Sequence, residues 1–373
     1  MKSNIIKTSK DLDLLKVAAI YGANGSGKSN FIKAFGYFNN YVYNSFRDSM
    51  NKDNELKARN NHFRLSTTTE DANTMFEVSF INGKYIYRYG YELLGRKIKK
   101  EWLFRKLDRE IQLFERTDQE FEINQESFEE GKKYYKEVNE NVLFISHLAQ
   151  YNQPVTKEVL SFFDHVAVID GIEQNHYSEV TTELLRDNKN FKEWAATVLK
   201  YLEIANIEAG EKDGEIITYH RKYDENNFVV DAVPFRKYME SDGTRKLIHI
   251  LGPIYYTLRS GGVLFIDEFD CKLHPNLTKK LLSLFQKYNK RNAQLVFSAQ
   301  DTTLLDKKIL RRDQIWFVNK DQFGGSSIYS LSEFGAKTVR NTSDFAKKYL
   351  DNTFGGADTL KITDKLTDLL YGE

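Results

Sequence analysis

The chain has 373 residues, room for two or three domains or for one large domain with insertions. Hydrophobic residues make up 41%, charged residues 29% and proline only 4 positions, which excludes a disordered, collagenous or low-complexity chain. Lys and Arg (54) balance Asp and Glu (53) to a net +1, so the whole-molecule field does not draw nucleic acid and any DNA contact must be a local patch.

The first residues, Met1 to Lys7, lack the apolar core of a signal peptide, and no segment approaches the roughly 18 unbroken apolar residues of a membrane span. A cytoplasmic location and no membrane partner are therefore expected. The apolar run Leu15 to Tyr21 then reads as a strand that ends at Gly22-Ala23-Asn24-Gly25-Ser26-Gly27-Lys28-Ser29, a full phosphate-loop (Walker A) match. Glycines let the backbone curl until several N–H groups point at one spot and cradle phosphate. Lys28 adds a mobile positive charge and the Ser29 hydroxyl is a ligand for Mg²⁺. Phe31, Ile32, Phe35 and Phe38 follow at helical spacing, which sets the phosphate on a helix N-terminus.

From Phe63 to Phe114 apolar and polar residues alternate, and Asn82-Gly83 between two such runs signals a hairpin. An inserted antiparallel sheet ending near Glu122 is expected. Within it, Arg96 to Lys100 with Arg105 and Lys106 is the densest basic cluster, interleaved with Trp102 and Phe104; it is the candidate DNA contact, the alternative being a solvated hairpin face. From Glu130 to about Leu202 the pattern is helical, and a short β segment follows over Ile216 to Val233. Ser241 reads as the N-cap of a helix over Thr244 to Tyr256, with Gly243 leaving the backbone open to a phosphate.

Gly261 to Glu268 runs four apolar residues into two carboxylates, the pattern of a strand buried on both faces with Asp267 and Glu268 at its carboxyl end. There Asp267 is placed to hold the Mg²⁺ shell and Glu268 to polarise an attacking water. Cys271 is the one cysteine, so no intrachain disulfide forms, and its apolar setting reads as packing. After a helical stretch from Asn276 to Tyr288, the strand Gln294 to Ser298 leads to Gln300. Its spacing puts Gln300 at the tip of the neighbouring strand, where a polar side chain can sense the γ-phosphate; the alternative is a plain loop residue. No heptad array is present, which excludes a long coiled-coil arm.

Together these pieces resemble an ABC-type ATPase head of the SMC- and RecF-like kind, in the AAA-family group found in bacterial antiphage and abortive-infection systems such as AbiL and PARIS. The resemblance rests on Ala19 to Asn30, Glu240 to Lys246, Leu264 to Pro275, Leu305-Asp306, Arg311 to Val318, Tyr349-Leu350 and Phe354-Gly355. It implies an α/β, P-loop NTPase fold of four parts. Residues 1–60 are the first part of the ATPase lobe with the phosphate loop, 61–125 the inserted antiparallel β-sheet, 126–235 a helical subdomain with a short β segment, and 236–373 the signature helix, Walker B strand and C-terminal part of the lobe. It further implies ATP and Mg²⁺ as cofactors and ATP hydrolysis as the activity. Contacts to the nucleotide fall to Gly22, Asn24, Gly25, Ser26, Gly27, Lys28, Ser29 and Asn30, metal contacts to Ser29 and Asp267, and catalytic roles to Glu268 and Gln300.

In such ATPases the signature of one head completes the nucleotide site of a second, so by resemblance Ser241, Gly243 and Thr244 act across a nucleotide-dependent homodimer. A toxic effector is then expected as a separate polypeptide. Relatives carry a His where this chain has Gln300, which can hydrogen-bond phosphate but cannot become a cation. Gln150 and Gln153 are the candidates for a glutamine-bearing metal loop. Two rival readings are a RecF-like repair ATPase that binds DNA and a nucleotide-gated scaffold with little turnover.

Overall fold

The computed structural model describes residues 4–8, 12–50, 62–169, 175–212, 214–335, 344–357 and 363–371. The expected boundary at residues 60 and 61 lies outside these. Strands β1 (Ile5–Lys7) and β2 (Asp13–Leu15) pair antiparallel ahead of β3 (Val17–Tyr21), which enters the glycine loop and then α1 (Lys28–Ser49). An antiparallel five-stranded sheet follows in chain order: β4 (Thr74–Asn82), β5 (Tyr85–Leu94), β6 (Lys97–Lys106), β7 (Glu110–Thr117) and β8 (Glu120–Ile123). Helices α2 (Glu129–Tyr134), α3 (Phe144–Leu148) and α4 (Pro154–Asp164) lead to β9 (Val166–Ile169), and α5 (Asn175–Asp187) and α6 (Lys189–Leu199) come next. A three-stranded sheet comprises β10 (Ile204–Ala209), β11 (Ile216–Tyr223) and β12 (Val229–Arg236). The chain continues through α7 (Asp242–Ser260), β13 (Val263–Ile266), α8 (Pro275–Gln286), β14 (Gln294–Ser298), β15 (Ile315–Lys320), β16 (Ser326–Ser330), α9 (Phe345–Leu350) and α10 (Asp364–Tyr371).

The central sheet has the order β16-β15-β3-β14-β13-β9, parallel except for the edge strand β16. Both faces are covered, which is why its strands read as unbroken apolar runs. Val17, Ala19, Tyr21, Leu264, Ile266, Leu295 and Phe297 point into the larger core with α7 and α8. Ile20, Phe265 and Val296 point the other way, onto Ile32 and Phe35 of α1. The ring of Phe35 stacks on Phe265 at 4.2 Å. Farther along, α1 leaves this sheet: Phe38 and Val42 belong to the aromatic core of the inserted sheet, where Phe38 stacks on Tyr91 at 5.2 Å.

Two local details carry the architecture. The β4–β5 loop is Gly83-Lys84, with glycine first at φ 56°, the order a type II′ hairpin requires. In α7, Pro253 cannot donate to the carbonyl of His249 one turn back, and Thr181 Oγ1 from α5 donates to that carbonyl at 3.2 Å instead. The helix therefore runs through its proline and extends beyond the expected Thr244 to Tyr256 at both ends.

A buried ion pair between neighbouring strands of the inserted sheet, Glu101 of β6 and Arg116 of β7, anchors the helices that follow. Glu101 and Arg116 have no exposed side-chain surface and lie 3.8 Å apart. The Glu101 carboxylate accepts from the main-chain N–H groups of Phe144 (2.6 Å) and Ile145 (3.1 Å) and from the Tyr89 hydroxyl (2.9 Å). Burial pushes the Glu101 carboxyl up, opposed by Arg116 and by these donors. Among the described residues, no helix is long and apolar enough to cross a membrane.

Candidate nucleotide site

The loop between β3 and α1 is shaped by two glycines in the left-handed region, Gly25 (φ 72°) and Gly27 (φ 109°). Gly27 is also the N-cap of α1. At Gly22 a side chain would collide with Ser26 and with the Val318 carbonyl of β15, so the loop presses on its neighbour strand. The turn closes through Ser26 N–H to Ala23 O at 3.1 Å. Lys28 is buried, and its ammonium lies over the loop on the carbonyls of Gly22 (2.6 Å) and Ala23 (3.0 Å). Burial lowers its pKa, while Asp267, Glu268 and Asp270 act the other way. Ser29 is half-buried, and Asn24 and Asn30 are exposed.

β14 stands between β3 and β13, so the phosphate loop and the acidic strand end at the same edge with one strand between them. That strand ties them together. Ser298, its last residue, donates through Oγ to the Asp267 carboxylate and accepts from the Glu268 N–H at 2.8 Å. Asp267 is only 4% exposed. Glu268 is half-buried with φ 51°, a conformation unfavourable for a residue with a side chain, and the Lys246 ammonium of α7 donates to its carbonyl. The next carboxylate, Asp270, accepts from the N–H groups of Gln300 (2.8 Å) and Asp301, fixing the turn after β14. Gln300 sits at that strand tip with its side chain exposed, where its spacing put it.

The segment expected to act as the signature, Ser241 to Thr244, lies at the N-terminus of α7. Ser241 caps the helix through Oγ, which accepts from Thr244 N–H at 3.2 Å, and the two hydroxyls lie 2.9 Å apart. Gly243 is less open than its residue type suggests. A Cβ there would lie 2.6 Å from the Lys272 carbonyl, so the glycine permits close approach of the turn after β13. Asp242 reinforces the contact by pairing with Lys272 at 2.7 Å and with Arg245, and these cations hold its carboxyl below the usual range. The phosphate loop, Asp267, Glu268 and Gln300 thus share one edge of the sheet, with the signature residues packed behind the acidic turn.

A family model described as "AAA domain, putative AbiEii toxin, Type IV TA system" matches residues 17–306, from β3 past Gln300. The chain belongs to this AAA family. No curated protein matches it. Among solved structures it is similar to an SMC head domain from Thermotoga maritima, at 13% identity over 88% of this chain and 95% of that one, with a TM-score of 0.43. It is also similar to an SMC head bound to the C-winged helix domain of ScpA (16% identity, 88% and 95% covered, TM-score 0.34). A third likeness, to an SMC head domain with a coiled coil and joint from Pyrococcus yayanosii, covers 61% of this chain and 42% of that one at 15% identity, with a TM-score of 0.29. The expected α/β fold, with the glycine loop between β3 and α1 and an inserted antiparallel sheet, is the one found.

Several site-shaping residues of this AAA chain are silent in the sequence. Ser298, Asp270 and Lys246 act through contacts with elements distant in sequence, which their spacing does not show. Ser326 of β16 is another: its Oγ donates to the Ser26 carbonyl at 2.7 Å. The candidate metal-loop glutamines are engaged locally, Gln150 with the His147 carbonyl (3.2 Å) and Gln153 with the Tyr151 carbonyl (2.9 Å). In the basic cluster Lys97, Lys99 and Lys100 pair with Glu140, Asp118 and Glu92, which offsets much of its charge. Cys271 is half-buried in the turn after Glu268.

Proposed function

We propose that this AAA-family protein binds and hydrolyses Mg²⁺-ATP, pairs head to head on nucleotide and controls a separate effector protein in antiphage defence. One observation carries the reading: the glycine loop before α1 and the carboxylates at the end of β13 emerge at the same sheet edge, joined by Ser298. Lys28 and the loop N–H groups are assigned to the phosphates, Ser29 and Asp267 to the metal, and Glu268 to the attacking water. Gln300 faces the γ-phosphate, and Ser241, Gly243 and Thr244 serve the partner head's nucleotide. The family description, which names a toxin and a toxin–antitoxin system, supports the defence setting.

The donor set suits the metal. Ser29 and Asp267 offer hard oxygens, and among the described residues no group of three or more His, Cys, Asp or Glu could cage an ion. Mg²⁺ commonly takes one or two protein oxygens and completes its shell with phosphates and water. Its contribution when bound is charge neutralisation across the phosphates.

The test is steady-state ATPase rate against protein concentration for the wild type, Lys28→Ala and Glu268→Gln. Turnover rising faster than linearly with protein, absent in both variants, supports a dimerising ATPase. Glu268→Gln should accumulate an ATP-bound pair visible by sedimentation, because the phosphates stay held while the water loses its polarising carboxylate. Wild-type ATP binding without turnover, unchanged by Glu268→Gln, would overturn the hydrolytic reading in favour of a gated scaffold.

A further inference from the structure

The loop and the acidic strand account for phosphates and metal, and they leave the base of a nucleotide without a contact. The inference here rests on the phosphate-site reading above. On one side of β3 stand β14 and β13 with their carboxylates; on the other stand β15 and β16. The β15–β16 hairpin touches the phosphate loop directly, through the Ser326 to Ser26 hydrogen bond and through Gly27, whose missing Cβ would lie 2.8 Å from Ser326 Oγ.

The tip of this hairpin is tightly built. The Asp321 carboxylate accepts from the N–H groups of Phe323 and Gly325, both at 2.8 Å, and Asp321 N–H donates to the Gly325 carbonyl at 2.8 Å. Gly324 turns the chain at φ 88°, with the Leu65 side chain packed against it. Yet this fixed loop presents Phe323 at 71% exposure, beside a Leu65 that is 65% exposed. A mobile tip could fold such a ring away; a tip whose main chain is held by these hydrogen bonds displays it.

We propose that Phe323 is the platform on which the base of the bound nucleotide stacks. The phosphate end is held at Gly25 to Ser29, and the side of β3 carrying Asp267 and Glu268 is polar and committed to metal and water. The hairpin side offers an apolar, pre-positioned ring three residues from a loop contact. Stacking on a ring reads no hydrogen-bonding edge, so the site favours the larger purine surface over a pyrimidine and discriminates weakly between purines.

Equilibrium binding of ATP and of inorganic tripolyphosphate, both with Mg²⁺, tests this on wild type, Phe323→Ala and Phe323→Trp. Loss of the ring should raise the ATP Kd by roughly 5- to 150-fold, the range of base–aromatic stacking, and leave the tripolyphosphate Kd within about twofold. Phe323→Trp should keep the ATP affinity, and its indole emission should respond to ATP and not to tripolyphosphate. An unchanged ATP Kd in Phe323→Ala, or equal weakening of both ligands, overturns the base platform alone. A wild type that binds neither ligand overturns the phosphate-site reading and the platform with it.

Discussion

The ammonium of Lys246 donates to the main-chain carbonyl of Glu268, so a side chain of α7 grips the residue at which the acidic strand ends. Burial lowers the pKa of Lys246, opposed by Cys271, Asp270, Glu268 and Asp267, and the ammonium compensates its desolvation by bonding this carbonyl. Glu268 holds φ 51° under that grip and that of Ser298 on its N–H.

Lys246→Met keeps the apolar stem and removes the donor. Relaxation of Glu268 should then lower kcat by roughly tenfold or more while the ATP Kd moves less than about threefold. Single-turnover rates beside equilibrium binding separate the two. Lys246→Arg, which restores a donor, should recover part of the rate. A variant with raised Kd and normal kcat would show that Lys246 acts elsewhere.

Gly27→Ala should abolish nucleotide binding without unfolding the chain. The substitution meets both a left-handed backbone at φ 109° and the Ser326 hydroxyl. A Cβ in that region of backbone costs about 1–3 kcal/mol, which the loop can relieve only by leaving its phosphate-cradling shape. Circular dichroism should match the wild type, and ATP affinity measured by calorimetry should fall more than about tenfold.

Breaking the Glu101–Arg116 pair should be among the most destabilising changes outside the nucleotide site. Glu101→Ala leaves a buried guanidinium without its counter-ion and frees the Phe144 and Ile145 N–H groups, a loss on the order of 3–5 kcal/mol. Glu101→Gln, which can still accept from one of them, should lose less. Urea unfolding monitored by fluorescence gives both numbers.

Stability should depend on pH through His249. Burial, with Lys237 and Arg245 nearby, lowers its pKa from 6.5 to about 4. The unfolded chain therefore takes up a proton near pH 6.5 that the folded chain refuses until about pH 4. The stabilisation is complete above 6.5, is lost as pH falls through this window and is flat below it, a change of up to about 3 kcal/mol. His249→Asn should flatten that part of the profile in urea midpoints measured between pH 4 and 7.

What could be read from the chain follows from how local each device is. The phosphate loop announces itself because its glycines answer backbone demands within eight residues, and the run Val263 to Ile266 does so because a strand buried on both faces cannot afford a polar residue. β9 leaves no mark in the sequence pattern: it is four residues long, lies in a helical stretch and owes its strand geometry to pairing with β13. β10 is silent for the same reason, its partner β11 lying beyond a turn. Ser298, Asp270, Lys246 and Ser326 could not be weighed from spacing, since each acts on an element dozens or hundreds of residues away.

α1 runs 22 residues from the phosphate loop into the aromatic core of the inserted sheet. At 1.5 Å per residue it is a rod of about 33 Å, of which about 21 Å lies beyond Phe35, so a tilt of about 10° about the Phe35–Phe265 contact sweeps the far end through roughly 4 Å. Phe38 and Val42 are clamped between rings there, and close-packed rings do not compress. The helix is therefore a lever with its fulcrum on Phe265, and any stroke begun at Lys28 must be delivered to the inserted sheet as a whole.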